Sequence, residues 1–470
     1  MRILVIISAL LSLTWPLGCF ADDTAPPNIV LIVSDDQRFD SLHGYMPFTE
    51  SRIFGEGVEF TKAYVTTPLC CPSRASILTG LFARSHKVFF NTSPLKKPTF
   101  VEALKRGGYF TGLVGKYLNT WDGTPRKEYN YWVSFSWGSV AYTNPTLNLN
   151  GDWRKVTGYT TDLLGDKSIE FLDLAKASGK PFFLLFTPNA PHAPATPADR
   201  HGAAYTDLAL WRPPSHSLVT PGMFPEWLRS KVKFNDDYYQ TLEKFRIRQY
   251  QSLLSLDEAI ARLTGKLESE GLLDKTIIIY ISDNGVFWGE HGLRDKGCVY
   301  EEAIHVPLAV RFPRLFTARV DNKHLVANID LAPTILEFSK LTSPRAFEGT
   351  SLMPLLTSAN PGEWRQELQI EGWGGFYGRQ PFRALHTGRY VYVENERTKN
   401  ELYDLSSDPY QMANKINDPQ LSELRSTLAE RAKLLYGQSF AEWRDKVSNI
   451  RRESPENYKG KPPILGKKNS

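Results

Sequence analysis

Asn28-Ile-Val-Leu-Ile-Val-Ser34 is a near-continuous apolar, β-branched run that passes directly into Asp35-Asp36. Such a run reads as a strand buried on both faces, the pattern of a parallel sheet covered by helices. It returns at Thr276 to Ser282 (Thr-Ile-Ile-Ile-Tyr-Ile-Ser), which ends in Asp283-Asn284-Gly285. Two more runs, Tyr109 to Gly115 and Pro181 to Pro188, end in Lys116 and close to His192. Helical segments precede these runs. Thr99-x-x-Glu102 is a capping-box start and Gly107-Gly108 a stop. Tyr250, Leu253, Leu254, Ile260, Leu263 and Leu267 keep helical spacing until Gly271. Alternating strands and helices predict an α/β sandwich with a mostly parallel central sheet flanked by helices. Ligands of such sheets bind outside the carboxyl ends of the strands. Four strands therefore deliver Asp35, Asp36, Asp283, Asn284, Lys116 and His192 to one rim.

Asp35, Asp36, Asp283 and Asn284 are hard oxygen donors, and carboxylates crowded together repel unless a cation sits among them. An all-oxygen set suits calcium, whereas zinc prefers histidine or thiolate. An isolated Asp-Asp is ordinarily a solvated turn. Two acidic pairs, each ending a buried strand, point to a metal.

Leu69 to Gly80 reads Leu-Cys-Cys-Pro-Ser-Arg-Ala-Ser-Ile-Leu-Thr-Gly. Pro72 suits a first helical turn, Ala75 to Leu78 continue the helix, and Thr79-Gly80 form its stop or a kink. Cys70 then lies just ahead of a helix N-terminus, where unpaired N–H groups and the dipole favour an anion. Arg74, one turn on, adds a cationic fork suited to a tetrahedral oxyanion.

Cys70-x-Pro72-Ser73-Arg74 followed by Thr79-Gly80 resembles the signature of the type I sulfatases. The resemblance implies that a formylglycine-generating enzyme oxidises Cys70 to formylglycine, whose hydrated aldehyde is the nucleophile. Register selects Cys70 over Cys71, because Pro72 and Arg74 must fall two and four positions later. It further implies an alkaline-phosphatase-like fold and calcium held by Asp35, Asp36, Cys70, Asp283 and Asn284. Gly289-Glu290-His291-Gly292-x-x-x-Lys296 and Tyr300-Glu301-Glu302 also look like the family. On that likeness Lys116, His192, His291 and Lys296 bind sulfate oxygens and serve the leaving group, beside Cys70 and Arg74. Many arylsulfatases carry a histidine two residues after the lysine, where this chain has Leu118. That departure leaves His192 and His291 as the imidazoles available, and His291 is the expected acid. The signature, Gly115-Lys116-Tyr117-Leu118-Asn119 and Ala327-Asn328-Ile329-Asp330 look most like N-acetylglucosamine-6-sulfatases, which remove 6-sulfates from heparan or keratan sulfate.

Met1-Arg2 and the short apolar run Ile3 to Leu13 lead through Cys19-Phe20-Ala21 to Asp22-Asp23, the pattern of a secretory signal peptide over residues 1–21. Leu17-Gly18-Cys19 leaves a lipoprotein reading open, although Pro16 spoils its usual pattern. No other stretch is apolar enough to span a bilayer, so a secreted or extracytoplasmic protein is expected. The remaining length suits a catalytic domain over 22–360 and a C-terminal subdomain over 361–450. Short strands at Phe382 to His386, Tyr390 to Glu394 and Glu401 to Leu405, then a helix around Leu421 to Leu435, make that subdomain a small antiparallel sheet with a packed helix. Residues 451–470 form a basic tail expected to be disordered. Thr120 to Thr160 and Arg200 to Gln240 lack a clear period and read either as walls of a cleft or as surface cover.

The formal charge of +5 over 470 residues is mild; it favours acidic substrates without implying nucleic acid. After cleavage Cys70, Cys71 and Cys298 remain, so a Cys71–Cys298 disulfide is arithmetically open if Cys70 is converted. Asn91-Thr92-Ser93 is a glycosylation sequon, relevant only in a eukaryotic host. The expected partner is a sulfated carbohydrate. An arylsulfatase or a phosphate or phosphonate ester hydrolase of the same superfamily stays open, as does a sulfated-glycan-binding protein with an unconverted Cys70.

Overall fold

The structure is a computed structural model that describes residues 25–119, 121–216, 236–343, 345–358, 360–375 and 379–453. Residues 1–21, the segment expected to be a signal peptide, with Cys19, and the tail beyond Glu453 lie outside the described residues. A ten-stranded sheet forms the centre, running Arg319–Asp321, Val58–Phe60, Leu308–Arg311, Thr276–Ser282, Asn28–Ser34, Phe182–Thr187, Phe110–Gly115, Tyr131–Ser134, Thr146–Leu149 and Asp152–Lys155. The strands from Thr276–Ser282 to Tyr131–Ser134 are parallel to their neighbours. Leu308–Arg311 joins them antiparallel on one side and Thr146–Leu149 on the other.

Alternation within the strands builds two cores. Ile29, Leu31 and Val33 face one way, onto Ile77, Leu78, Leu104 and Ile335. Val30 and Ile32 face the other way, onto Leu164, Phe171, Leu253, Leu256 and Leu263. The first layer comes from the helices Cys70–Thr79, Phe100–Arg106 and Leu331–Phe338, the second from Thr160–Ala177 and the long helix Asp236–Ser269. Burial on both faces is why the strand sequences are near-continuous rather than alternating.

Register sets the chemistry. Ser34 pairs with Ser282, so Asp35-Asp36 and Asp283-Asn284 leave the sheet side by side. Gly115 pairs with Thr187, which puts Lys116 beside the loop leading to His192. Gly115, at φ +121, is required there, since a Cβ would lie 2.0 Å from Thr187 O. The capping box at Thr99 and Glu102 is present, with Thr99 N donating to Glu102 Oε1 at 3.2 Å.

Several elements differ from the sequence reading. Tyr131–Ser134, Thr146–Leu149 and Asp152–Lys155 turn the aperiodic stretch before Thr160 into the edge of the central sheet. The separate four-stranded antiparallel sheet has Leu368–Trp373 as an additional strand beside Pro381–His386, Tyr390–Asn395 and Glu401–Asp404. Leu368–Trp373 hides because Gln369, Glu371 and Gly372 break its apolar run. Helix Ser422–Tyr436 packs on this sheet, and a further helix, Phe440–Glu453, buries Trp443 and Val447 against Trp373. Cys71 and Cys298 are not joined in a disulfide.

Candidate active site

The signature helix starts at Cys70 itself, with extended Leu69 as its N-cap, so the thiol occupies the first turn rather than preceding it. All ten residues from Cys70 to Thr79 are buried. Gly80 ends the helix at φ +64, with its N–H returned to Ser76 O at 2.8 Å. Asn328 braces the helix from behind: its amide donates to Ser73 Oγ at 2.9 Å and accepts from Thr66 N at 3.1 Å. Asn91 Oδ1 accepts the Cys71 N–H at 3.0 Å, so the side chain of the sequon asparagine is engaged at the helix N-terminus.

The polar residues at the strand ends interlock. Arg74 Nε donates to Asp283 Oδ2 at 2.7 Å, and its Nη1 donates to Lys116 O at 3.2 Å. Lys116 Nζ donates to both oxygens of Asp35, at 2.9 and 2.7 Å. Lys296 Nζ donates to Cys70 Sγ at 2.9 Å and pairs with Asp36. Asp36 sits at φ +65, and its N–H donates to Asp283 Oδ1 at 3.0 Å. Asn284 Nδ2 donates to Asp36 Oδ1 at 2.7 Å. Three carboxylates are thereby matched by Arg74, Lys116 and Lys296.

Burial magnifies these pairings. It would raise the Asp35 carboxyl, but Lys116, His192 and Arg74 hold it below the usual range. Asp36 is lowered in the same way, by Lys296 and then His192, against its own burial. The carboxylates outweigh burial at Lys116 and Lys296, whose ammonium groups are held charged. Burial pushes the Cys70 thiol up to about 12, so it is not a thiolate near neutral pH.

His192 and His291 part company here. His192 Nε2 lies 3.6 Å from Asp36 Oδ2, and its side chain is 26 % exposed, the open side of an otherwise closed cluster. Its Nδ1 lies 2.8 Å from Ala193 O, which can only accept, so Nδ1 carries the proton and Nε2 faces the cluster. His291 is fully buried, stacks on Tyr300 at 4.2 Å between centroids, and stands 3.8 Å from Glu302 Oε2. Burial pushes it down to about 3. The imidazole brought to the carboxylates is His192.

Asp35, Asp36, Cys70 and His192 offer ligand atoms within 4.8 Å of one another, the spacing of a metal site. Asp283 lies just behind them, with its two oxygens taken by Arg74 and the Asp36 N–H. Asn284 Oδ1 is buried without a hydrogen-bond partner, a carbonyl oxygen placed for a cation. With it, three oxygen donors stand beside the Cys70 thiol and the His192 imidazole. Arg74 Nη2 is likewise buried without a hydrogen-bond partner and lies 3.6 Å from Asp35 Oδ1.

Two positioning residues carried no motif. Gln249, on the long helix, donates to Asp36 O at 3.3 Å and Pro191 O at 3.0 Å, and accepts from the Trp288 indole. Tyr142 donates its hydroxyl to His192 O at 2.7 Å. Gln249 did leave a signal, since it occupies a place in the stripe Leu253, Leu256, Ile260, Leu263 where an apolar residue belongs.

Residues 27–340 match the sulfatase family. The chain belongs to that family. Residues 289–438 also match the N-sulphoglucosamine sulphohydrolase C-terminal family. The sulfatase is 33% identical to human N-acetylglucosamine-6-sulfatase over 474 residues, covering 86% of this chain and 84% of the relative. Its fold is that of a protein solved in complex with its substrate D-glucosamine-2-N,6-O-disulfate, with a TM-score of 0.74, 24% identity, and coverage of 92% of this chain and 100% of the other. The phosphonate monoester hydrolase of Agrobacterium radiobacter shares the fold at a TM-score of 0.71 and 20% identity, over 87% of this chain and 95% of the other. Among the described residues, no helix of this sulfatase is long and apolar enough to cross a membrane.

Proposed function

We propose that the protein is a secreted, calcium-dependent sulfatase that hydrolyses sulfate esters of a sulfated sugar, favouring N-acetylglucosamine-6-sulfate of glycosaminoglycans, through formylglycine at Cys70. The observation that carries the catalytic reading is Cys70 in the first turn of a buried helix, with its Sγ 2.9 Å from Lys296 Nζ. The sugar reading rests on the likeness to the human relative over most of both chains.

Asp35, Asp36, Asp283 and Asn284 are assigned to the calcium ion, with the converted Cys70 as a further ligand. When bound, calcium withdraws charge from a sulfate oxygen and orients the nucleophile. The chain's own groups do the rest. Arg74, Lys116 and Lys296 face the non-bridging oxygens, where fixed cations in a closed pocket stabilise developing charge. His192, at the open side, is assigned the proton for the departing sugar oxygen, with its Nε2 3.6 Å from Asp36 Oδ2. This moves the acid from His291, the expectation from sequence, to the imidazole that meets the cluster.

A phosphonate or phosphate ester hydrolase is the second reading, because phosphonate monoester hydrolases share this fold. Assays of one preparation on N-acetylglucosamine-6-sulfate, a nitrophenyl sulfate and a phenyl phosphonate separate the two. The proposal expects the highest kcat/KM on the sugar sulfate. Faster turnover of the phosphonate would overturn it.

A further inference from the structure

Lys296 reaches Cys70 and Asp36 from an awkward piece of backbone. Its neighbours Asp295 and Gly297 both lie in the left-handed region, at φ +62 and +88. For Asp295 that conformation is unfavourable and persists only where the surroundings hold it. The local hairpin is small: among the described residues Arg294–Asp295 pairs only with Phe287–Trp288. So short a ribbon is marginal by itself.

The support comes from the other sheet. Arg379 Nε donates to Lys296 O at 3.1 Å, and its Nη2 donates to Arg294 O at 2.7 Å. One guanidinium thus grips the carbonyls on either side of the strained Asp295. Arg379 is 6% exposed and stands just ahead of the strand Pro381–His386, and its own carbonyl accepts the Gly375 N–H at 3.1 Å. A planar fork can hold two divergent carbonyls at once, whereas a lysine ammonium is a point donor without that geometry.

We infer that Arg379 is a positioning residue for Lys296, so that the C-terminal sheet helps to set the active site instead of only packing beside it. The inference rests on the reading of Lys296 as a sulfate-binding cation. Groups that orient such a residue cost about 10–100-fold in activity when removed.

A double-mutant cycle tests it, on full-length protein with Cys70 conversion measured by mass spectrometry for each variant. Arg379→Ala is expected to lower kcat/KM on a nitrophenyl sulfate about 10–100-fold in the wild-type background. Added to Lys296→Ala, it should change kcat/KM by less than about twofold, because the residue it positions is gone. Arg379→Lys should recover part of the loss with the melting temperature unchanged. The same cycle read as affinity for inorganic sulfate by calorimetry gives the answer without turnover. Equal losses in both backgrounds would overturn the proposal, as would wild-type activity in Arg379→Ala. A Lys296→Ala variant as active as wild type would overturn the reading of Lys296, and the positioning role with it.

Discussion

Cys70 and Cys71 are adjacent thiols with different surroundings. Cys70 Sγ meets Lys296 and the two aspartates, whereas Cys71 Sγ accepts the Asn119 N–H at 2.9 Å. Cys70→Ala is expected to abolish turnover of every sulfate ester while the melting temperature stays within a few degrees. Cys71→Ser, close in size, should keep activity within about tenfold, since its place is structural and small changes of shape cost under about 1.5 kcal/mol. Kinetics and thermal melts of both variants decide the matter. The imidazoles offer a second contrast. A proton donor matters most for a poor leaving group such as a sugar alkoxide and little for a nitrophenolate, and general acid catalysis is worth about 10²–10⁴-fold. His192→Ala should therefore lose far more kcat/KM on the sugar sulfate than on the nitrophenyl sulfate. His291→Ala should show its main effect as lost stability, about 3 kcal/mol for a buried ring. Equal losses on both substrates for His192→Ala would assign it to sulfate binding alone.

At the scale of elements, the signature helix carries a buried histidine support that gives stability a pH dependence. His86 Nδ1 accepts the Val88 N–H at 3.0 Å, and its Nε2 lies 3.1 Å from Ser76 Oγ on the helix. Burial pushes His86 down to about 3 from an ordinary 6.5. Between those two pH values the unfolded chain binds a proton that the folded protein refuses, so stability falls as pH falls through the window. It is fully present above about 6.5. Urea midpoints at pH 7.5 and 4.5 should show this decline, and His86→Gln should lessen it, with the buried His291 still contributing in the same window. An unchanged slope in that variant would contradict the assignment. Strand ends and helix caps of this kind were legible in the sequence because local chemistry dictates them. Asn28–Ser34 and Thr276–Ser282 are apolar throughout, and Gly80 marks its helix end by φ +64. The strand Tyr131–Ser134 was not legible, because its aromatic residues sit among Gly and Asn and only pairing with Phe110–Gly115 defines it. The different surroundings of His192 and His291 were likewise not legible, since only the fold sets His192 Nε2 3.6 Å from Asp36 Oδ2 and buries His291.

For the molecule as a whole, contacts of Glu301 as well as of Arg379 tie the antiparallel sheet to the segments around the site. Glu301 pairs with His305 at 3.2 Å and with His386, from the antiparallel sheet, at 2.9 Å. Against its burial, these imidazoles hold the Glu301 carboxyl below its ordinary value. The metal assigned to Asp35, Asp36, Asp283 and Asn284 would bind the folded chain alone. At about 100 times its Kd such an ion adds about 2.7 kcal/mol of stability. Chelation is expected to lower the melting temperature and remove activity, both restored by calcium. Indifference of both to chelator would contradict the metal assignment. Every step of the account, however, turns on the chemical state of one residue. Mass spectrometry of the Cys70 peptide from active protein tests that state directly. An aldehyde is expected at Cys70, in a fraction that tracks specific activity between preparations. An intact thiol at Cys70 in fully active enzyme would contradict it.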